Sequence, residues 1–153
     1  MSDKEIQLVT FQLGAEEYGI NIMQVQEIIR IPDIVRVPKT HSFVEGVINL
    51  REQVIPVIDL AERLTVPSKE RTNDTRVMIA NIKGSLVGLV VDSVSEVIRI
   101  SKEDIGPLPD LMTSSDEKCF KGITRLNDRL IILLDLENTL SPEDIPEIQK
   151  IND

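Results

Sequence analysis

The chain has 153 residues, 41% of them apolar, and its 26 acidic residues outnumber 17 basic ones. This length predicts one domain, with enough apolar residues for a core that needs no metal or disulfide. The net charge of −9 argues against nucleic acid and anionic membrane surfaces as partners, because both attract basic patches. The single cysteine, Cys119, cannot form an internal disulfide, which fits a reducing compartment.

No segment of the chain has the character of a targeting or membrane-spanning sequence. The N-terminus is charged and no signal-peptide apolar stretch follows it. The longest apolar runs, such as residues 130–134, are far below the roughly 20 residues that span a bilayer. We therefore expect a cytoplasmic protein without direct membrane insertion.

The first half of the chain is predicted to form strands. Apolar residues alternate with polar ones over residues 9–13, as in a half-buried strand, and β-branched residues are frequent in the later segments. Strands are predicted over residues 9–13, 18–22, 25–31 and 54–58, with a further short strand before the turn at Arg51 and Glu52.

The second half repeats this pattern, with predicted strands over residues 77–82, 86–91, 94–100 and 130–134 and a short strand before Asn127 and Asp128. About ten short, closely spaced strands are typical of small barrels. Short helical turns are predicted after Asp59 and Asp135, which can cap them. Gly46 and Gly122 are predicted to end helices in a left-handed conformation. Ser141 and Pro142 predict a short helix at the start of the tail.

An internal duplication explains why the two halves are alike. The segment Val25-Gln-Glu-Ile-Ile-Arg-Ile31 reappears as Val94-Ser-Glu-Val-Ile-Arg-Ile100, with five of seven positions identical at an offset of 69. A second block, which includes Gly46 and Gly122, repeats at an offset of 76. We therefore divide one domain, residues 6–140, into two half-modules, 6–68 and 75–140, followed by a tail over residues 141–153.

Catalytic and cofactor motifs are not evident in the sequence. Its seven glycines never form a phosphate-binding loop, and one histidine with one cysteine cannot make a Cys/His metal site. His41 and Cys119 occupy equivalent places in the two halves, so we expect a surface histidine and a small buried filler in place of a nucleophile pair. Asp59 and Asp135 are explained as caps. We expect no cofactor, no metal and no enzymatic activity.

Glu27, Glu96 and Arg51 are the residues whose placement requires an explanation. By strand alternation Glu27 shares a face with Val25 and Ile29, and a carboxylate in an apolar stripe is costly if buried. Either the strand bulges or ends there, or the face is open and available for docking. A structural hydrogen bond repeated by duplication is the alternative for both acids. Arg51 lies in a turn, where it is either a recognition residue or an ordinary surface charge.

The chain resembles the CheW family of chemotaxis coupling proteins over nearly its whole length. The matching stretches are Phe11-Gln-Leu-Gly-Ala-Glu-Glu-Tyr-Gly-Ile20, Val25-Gln-Glu-Ile28, Phe43-Val-Glu-Gly-Val-Ile-Asn-Leu-Arg51, Val54-Ile-Pro-Val-Ile-Asp-Leu60, Val87-Gly-Leu-Val-Val-Asp92, Val94-Ser-Glu-Val97, and Gly122 with residues 130–136. No single stretch is decisive, but their order and combination are specific.

The resemblance implies a mainly β fold of two five-stranded SH3-like barrels with short helical turns. It also implies a non-catalytic adaptor that couples the cytoplasmic tips of chemoreceptors to the regulatory domain of the histidine kinase CheA, and that is recruited to membrane-bound receptor arrays by these partners. The receptor-coupling positions of the family fall on Val25, Glu27, Ile28 and Arg51. The kinase-binding residues are not identified.

One departure from the family pattern concerns the turn after Asn-Leu-Arg. The family usually has glycine there, and this chain has Glu52, which implies a different turn or a strained one.

The sequence is also compatible with three other functions: a domain of a longer chemotaxis protein, a hydrolase and an RNA-binding barrel. The chain could be the CheW-like domain of a CheA-type kinase or of a CheW–receiver fusion, although its start at Met1 and its polar tail favour a stand-alone adaptor. A small hydrolase using Asp59, Glu27 or Cys119 would need these residues to converge on one pocket. An RNA-binding barrel would need a basic face.

Overall fold

The computed structural model describes residues 4–36, 38, 42–67, 69–108 and 117–140. Eleven strands and two short α-helices are defined within them. The strands are β1 Glu5–Leu13, β2 Glu16–Asn21, β3 Val25–Arg30, β4 Val44–Leu50, β5 Gln53–Asp59, β6 Arg76–Ile82, β7 Ser85–Val91, β8 Ser93–Ser101, β9 Ile105–Gly106, β10 Phe120–Leu126 and β11 Arg129–Leu134. The helices are α1 Leu60–Arg63 and α2 Leu136–Thr139. The prediction of a mainly β protein with short helical turns is confirmed.

The strands form two sheets that do not follow the two halves of the sequence. The six-stranded sheet has the order β8-β1-β2-β11-β10-β9, and the five-stranded sheet has the order β3-β6-β7-β5-β4. The β1–β2 hairpin of the first half thus lies between strands of the second half, and the β6–β7 hairpin of the second half lies between strands of the first. The half-modules inferred from the repeat are therefore not separate barrels.

The duplication is nevertheless visible in the topology, because both sheets have the same order of equivalent strands. In the order of the sheets, β8, β1, β2, β11 and β10 correspond to β3, β6, β7, β5 and β4. The chain crosses from one sheet to the other at a 3-10 turn over Ile22–Gln24 and again at Asp92. The six-stranded sheet differs by the two-residue β9, so the predicted five strands apply to one sheet only.

Each sheet curls toward a barrel. In the five-stranded sheet, the chain leaving the edge strand β3 pairs with the opposite edge strand β4 through an isolated bridge between Val35 and Val47. In the six-stranded sheet, the edge strand β8 continues through a 3-10 turn into β9, which pairs with β10. The edges that would otherwise expose unpaired backbone groups are largely covered in this way.

Three apolar clusters fill the molecule. The largest lies between the sheets and takes residues from both, including Phe11 and Tyr18, whose ring centroids are 6.0 Å apart. A second cluster, with Ile48 and Val77, lies within the five-stranded sheet, and a third, with Leu8 and Ile131, lies within the six-stranded sheet. Alternate residues of the strands between the sheets therefore face two different cores, which explains their nearly continuous apolar sequences.

Gly46 and Gly122 do not end helices, so that prediction was wrong. They lie within β4 and β10, at irregular pairings with β5 and β11, and have φ angles of 152° and 151°. A Cβ atom on Gly46 would lie 2.2 Å from the carbonyl oxygen of Val35, and one on Gly122 would lie 2.4 Å from that of Gly106. Close approach of a second backbone segment requires glycine at both positions.

The predicted caps are confirmed, because the side chains of Asp59 and Asp135 accept hydrogen bonds from the backbone N–H groups of Glu62 and Asn138, each at 3.3 Å. The predicted tail helix lies outside the described residues. Within the described part of the chain, no helix is long and apolar enough to cross a membrane.

Candidate functional site

Strand β3 contains a β-bulge that determines where Glu27 points. Val25 pairs with Ala80 of β6, and Glu27 pairs with the next residue, Ile79, so Gln26 is the extra residue. The bulge reverses the alternation of side chains between Val25 and Glu27. Val25 consequently packs against the core between the sheets, on the side opposite Glu27.

Glu27 meets Arg51 at the surface of the five-stranded sheet. Nη1 of Arg51 donates to Oε2 of Glu27 at 3.2 Å, and Nη2 donates to Oε1. The Arg51 side chain is 66% exposed and that of Glu27 is 26% exposed. A two-point contact between guanidinium and carboxylate fixes the orientation of both groups. Because β3 and the β4–β5 turn belong to opposite edges of the sheet, the ion pair also links those edges.

The ion pair alters the titration of both partners. The hydrogen bond from Arg51 lowers the pKa of Glu27 below its ordinary value of 4.5, and the hydrogen bond to Glu27 raises the pKa of Arg51. Both groups are therefore charged at neutral pH. An ion pair this exposed contributes little to stability, so its charges stay available to a partner.

The β4–β5 turn holds Arg51 and Glu52 in the left-handed region, with φ angles of 49° and 69°. Gln53 pairs with Leu50, so the hairpin has a two-residue loop with positive φ at both central positions. Such loops favour glycine and asparagine, and neither is present here. Of the two outcomes expected for Glu52, the structure shows a strained turn.

The structure brings three of the four predicted receptor-coupling residues to the surface. Glu27 and Arg51 are in contact, and Ile28, which points to the opposite face of the edge strand β3 from Glu27, is 39% exposed. Val25 is half-buried and packs against the core between the sheets. It lies at the start of the bulged strand, where it anchors β3 to the core.

The second half carries a related cluster that the sequence did not reveal. β8 has the equivalent bulge, with Ser95 as the extra residue between Val94 and Glu96. Arg129 contacts Glu96 at 2.6 Å through Nη1, and it contacts Glu17 at 3.0 Å through Nε and at 2.5 Å through Nη2. Arg129 escaped prediction because the repeat aligns Arg51 with Asn127. Its partners lie 33 and 112 residues away, so no local signal indicates them.

Exposed apolar side chains follow the same duplication. Among the described residues, four of the six large exposed hydrophobic residues form two equivalent pairs. Ile28, which is 39% exposed, is equivalent to Val97, which is 50% exposed. Val54, which is 50% exposed, is equivalent to Leu130, which is 55% exposed. In each half, one of these apolar residues, Ile28 or Val97, directly follows the glutamate of the ion pair in the sequence. Each sheet therefore exposes an ion pair and two apolar side chains at equivalent positions.

Of the residues considered for catalysis, those that the structure describes make separate structural contacts. Asp59 caps α1, and burial raises the pKa of its carboxyl. Cys119 is fully buried, as expected for a filler residue, and His41 lies outside the described residues. A polar cavity of about 350 Å³ is lined by residues such as Lys69, Glu70 and Asp92, and by none of the proposed catalytic groups. Among the described residues, no cluster of ligand side chains could hold a metal.

Comparisons with known proteins agree on one family. A family model described as a CheW-like domain matches residues 7–144. The chemotaxis protein CheW of Treponema pallidum is 32% identical over 99% of this chain and 91% of its own length. The crystal structure of the scaffolding protein TtCheW from Thermoanaerobacter tengcongensis matches with a TM-score of 0.80 and 38% identity, over 88% of this chain and 87% of that one. The chemotaxis protein CheV3 of Helicobacter pylori is 35% identical over 89% of this chain, but over only 47% of its own length.

Proposed function

The chain belongs to the family of CheW-like domains, and on this premise we propose that it is a non-catalytic adaptor that couples chemoreceptors to the histidine kinase CheA. The observation that carries the proposal is the similarity to CheW proteins, which extends over almost the whole of both chains. The separate structural contacts of Glu27, Asp59 and Cys119 agree with binding in place of catalysis. We further propose a cytoplasmic protein that its partners recruit to membrane-bound receptor arrays.

We assign receptor coupling to the surface formed by Glu27, Ile28 and Arg51, which we term the coupling surface. The ion pair offers charged groups held in a fixed orientation, and Ile28 adds an exposed apolar contact on the other face of the same edge strand. A helical hairpin with mixed polar and apolar residues is complementary to such a surface. Val25 supports the coupling surface from the core side by anchoring the start of β3.

We assign the kinase regulatory domain to the equivalent surface of the six-stranded sheet. An adaptor must bind two proteins at once, and the duplication supplies each sheet with an ion pair and two exposed apolar side chains. Val97 and Leu130 are its exposed apolar residues, and Glu96 with Arg129 forms its ion pair. This assignment leaves the coupling surface free for the receptor.

The experiment that tests both assignments is calorimetric titration of the chain with a CheA regulatory domain and, separately, with a receptor-tip fragment. We expect saturable one-to-one binding to the kinase domain. Leu130→Asp should weaken that binding about tenfold, because it buries a charge against an apolar partner surface. Arg51→Glu should weaken receptor binding by a similar factor, because it places two carboxylates side by side, and it should leave kinase binding unchanged.

Each variant serves as the control for the other, because both replace exposed residues and should leave the fold intact. Circular dichroism and the unfolding midpoint check that they do. Absence of kinase binding by a folded wild-type chain would refute the adaptor function. Loss of both activities in either variant would refute the division into two surfaces.

A second possibility is favoured by one observation, the match to less than half of CheV3. A CheW-like domain can therefore be part of a longer chemotaxis protein. In that setting the same two surfaces would act within a fusion, and full-length sequencing of the encoding locus distinguishes the two cases.

A further inference from the structure

The turn at Arg51 and Glu52 differs from the other two-residue hairpin turns of the molecule. The β6–β7 turn has Lys83 at its first position and Gly84 at its second, both with positive φ, so only its first position resembles the β4–β5 turn. The β1–β2 turn places Gly14 at its first position, and the β10–β11 turn uses Asn127 where φ is positive. Glycine and asparagine accept a left-handed conformation at little cost. Glutamate does not, so the backbone of the turn is strained at Glu52, and glycine at this position would relieve the strain.

No contact within the described protein accounts for Glu52. Its side chain is exposed, and among the described residues it has no hydrogen-bond or ion-pair partner. It does not pack against any of the three cores. Among the described residues, the Glu52 side chain is therefore unpartnered, so its charge is available to another molecule.

The charge of the coupling surface indicates which partner group that is. The guanidinium of Arg51 is already bound at two points by the carboxylate of Glu27. Glu52 follows Arg51 in the turn, so the three side chains together carry a negative net charge. A cation on the partner would be attracted there, and an acidic residue would be repelled.

We propose that Glu52 is a specificity-determining residue of the coupling surface, which selects receptor tips that place a lysine or arginine opposite the β4–β5 turn. This inference rests on the proposed receptor-coupling function of the same surface. Attraction between exposed charges is modest, and screening by salt weakens it further. Glu52 therefore acts by discriminating among receptors and supplies only a small part of the total affinity.

The test is titration of the full chain with a receptor-tip helical hairpin from the same genome, at low and at physiological salt. Glu52→Gln removes the charge and keeps the length of the side chain, whereas Glu52→Lys reverses the charge. Asp128→Asn is the matched control, because Asp128 occupies the equivalent turn position in the second half. Glu52→Gln should weaken binding about two- to fivefold at low salt, and less at physiological salt. Glu52→Lys should weaken it more, and Asp128→Asn should have no effect.

A double-mutant cycle identifies the partner group. Each lysine and arginine of the hairpin is replaced by alanine in turn, and one such replacement should weaken binding to wild type but not to Glu52→Gln. Equal binding by wild type and Glu52→Gln, or an equal loss with Asp128→Asn, would overturn this inference alone. No binding by wild type to any hairpin would overturn both it and the coupling function.

Discussion

At the scale of single residues, the β4–β5 turn stores strain that a substitution can release. Glu52→Gly should stabilise the protein by about 0.5 to 1 kcal/mol, because relief of a left-handed conformation outweighs the entropy that glycine adds to the unfolded chain. Urea unfolding monitored by circular dichroism measures the difference. Asp128→Gly is the control. Asp128 does not have a positive φ, so that change should destabilise by a few tenths of a kcal/mol or more.

The Glu27–Arg51 contact predicts a titration that can be followed directly. The carboxyl of Glu27 should titrate below 4.5, because the hydrogen bond from Arg51 favours the ionised form. A depressed native pKa contributes stability above the unfolded value, and this contribution is lost as the pH falls through the native pKa. NMR titration of the Glu27 carboxyl carbon should show its midpoint rising in Arg51→Met. An unchanged midpoint would contradict the ion pair in solution.

The residues of the coupling surface show what a sequence can and cannot reveal. Resemblance to a family assigned receptor coupling to Glu27, Ile28 and Arg51, and all three are at least partly exposed; the residue pattern predicted that a bulge, a strand end or an open face must accommodate Glu27. The contact between Glu27 and Arg51 spans 24 residues. It depends on the curvature of a whole sheet, which no local pattern encodes. Arg129 escaped notice for the same reason.

At the scale of elements, strands were predicted well because alternation and β-branched residues are local signals. The glycines were misread because the need for them is not local. Gly46 and Gly122 are required by carbonyl groups of segments 11 and 16 residues earlier in the chain. A glycine that ends a helix and one that admits a crossing backbone look alike in sequence.

Substitution of either of these two glycines should strongly lower the free energy of unfolding. Gly46→Ala and Gly122→Ala should each destabilise by about 3 kcal/mol or more, because the new methyl group overlaps a backbone carbonyl and the residue has a positive φ. Gly106→Ala is the matched control, since its nearest contact would be an ordinary 3.7 Å. Thermal unfolding of the three variants checks the ranking. Similar midpoints for all three would contradict the close approach.

At the scale of the whole molecule, the exchange of hairpins ties the halves together. A fragment of residues 1–68 retains the β1–β2 hairpin without its neighbours β8 and β11, and it lacks the β6–β7 hairpin that separates β3 from β5. Isolated hairpins are marginally stable at best. Each half of the chain is thus incomplete without the other.

We therefore expect that fragments 1–68 and 69–153 are each unfolded, and that an equimolar mixture recovers strand structure and a cooperative transition. Circular dichroism of the separate and mixed fragments provides the measurement. A cooperative transition in either fragment alone would show that a half-module is self-sufficient. The sequence could not decide this, because the repeat reveals a duplication but not which copies of the strands pair.

The exchange of hairpins also has a consequence for synthesis on the ribosome. The hydrogen bond between Thr10 of β1 and Glu96 of β8 cannot form until Glu96 has been synthesised, 86 residues later. The contact between Glu17 of β2 and Arg129 cannot form until Arg129 has been synthesised, 112 residues later. At about 5 to 20 residues per second, the first hairpin spends roughly 4 to 20 seconds without its final neighbours. Its apolar faces are exposed to other nascent chains and to chaperones during that interval. The six-stranded sheet is therefore completed only when nearly the entire protein has been made.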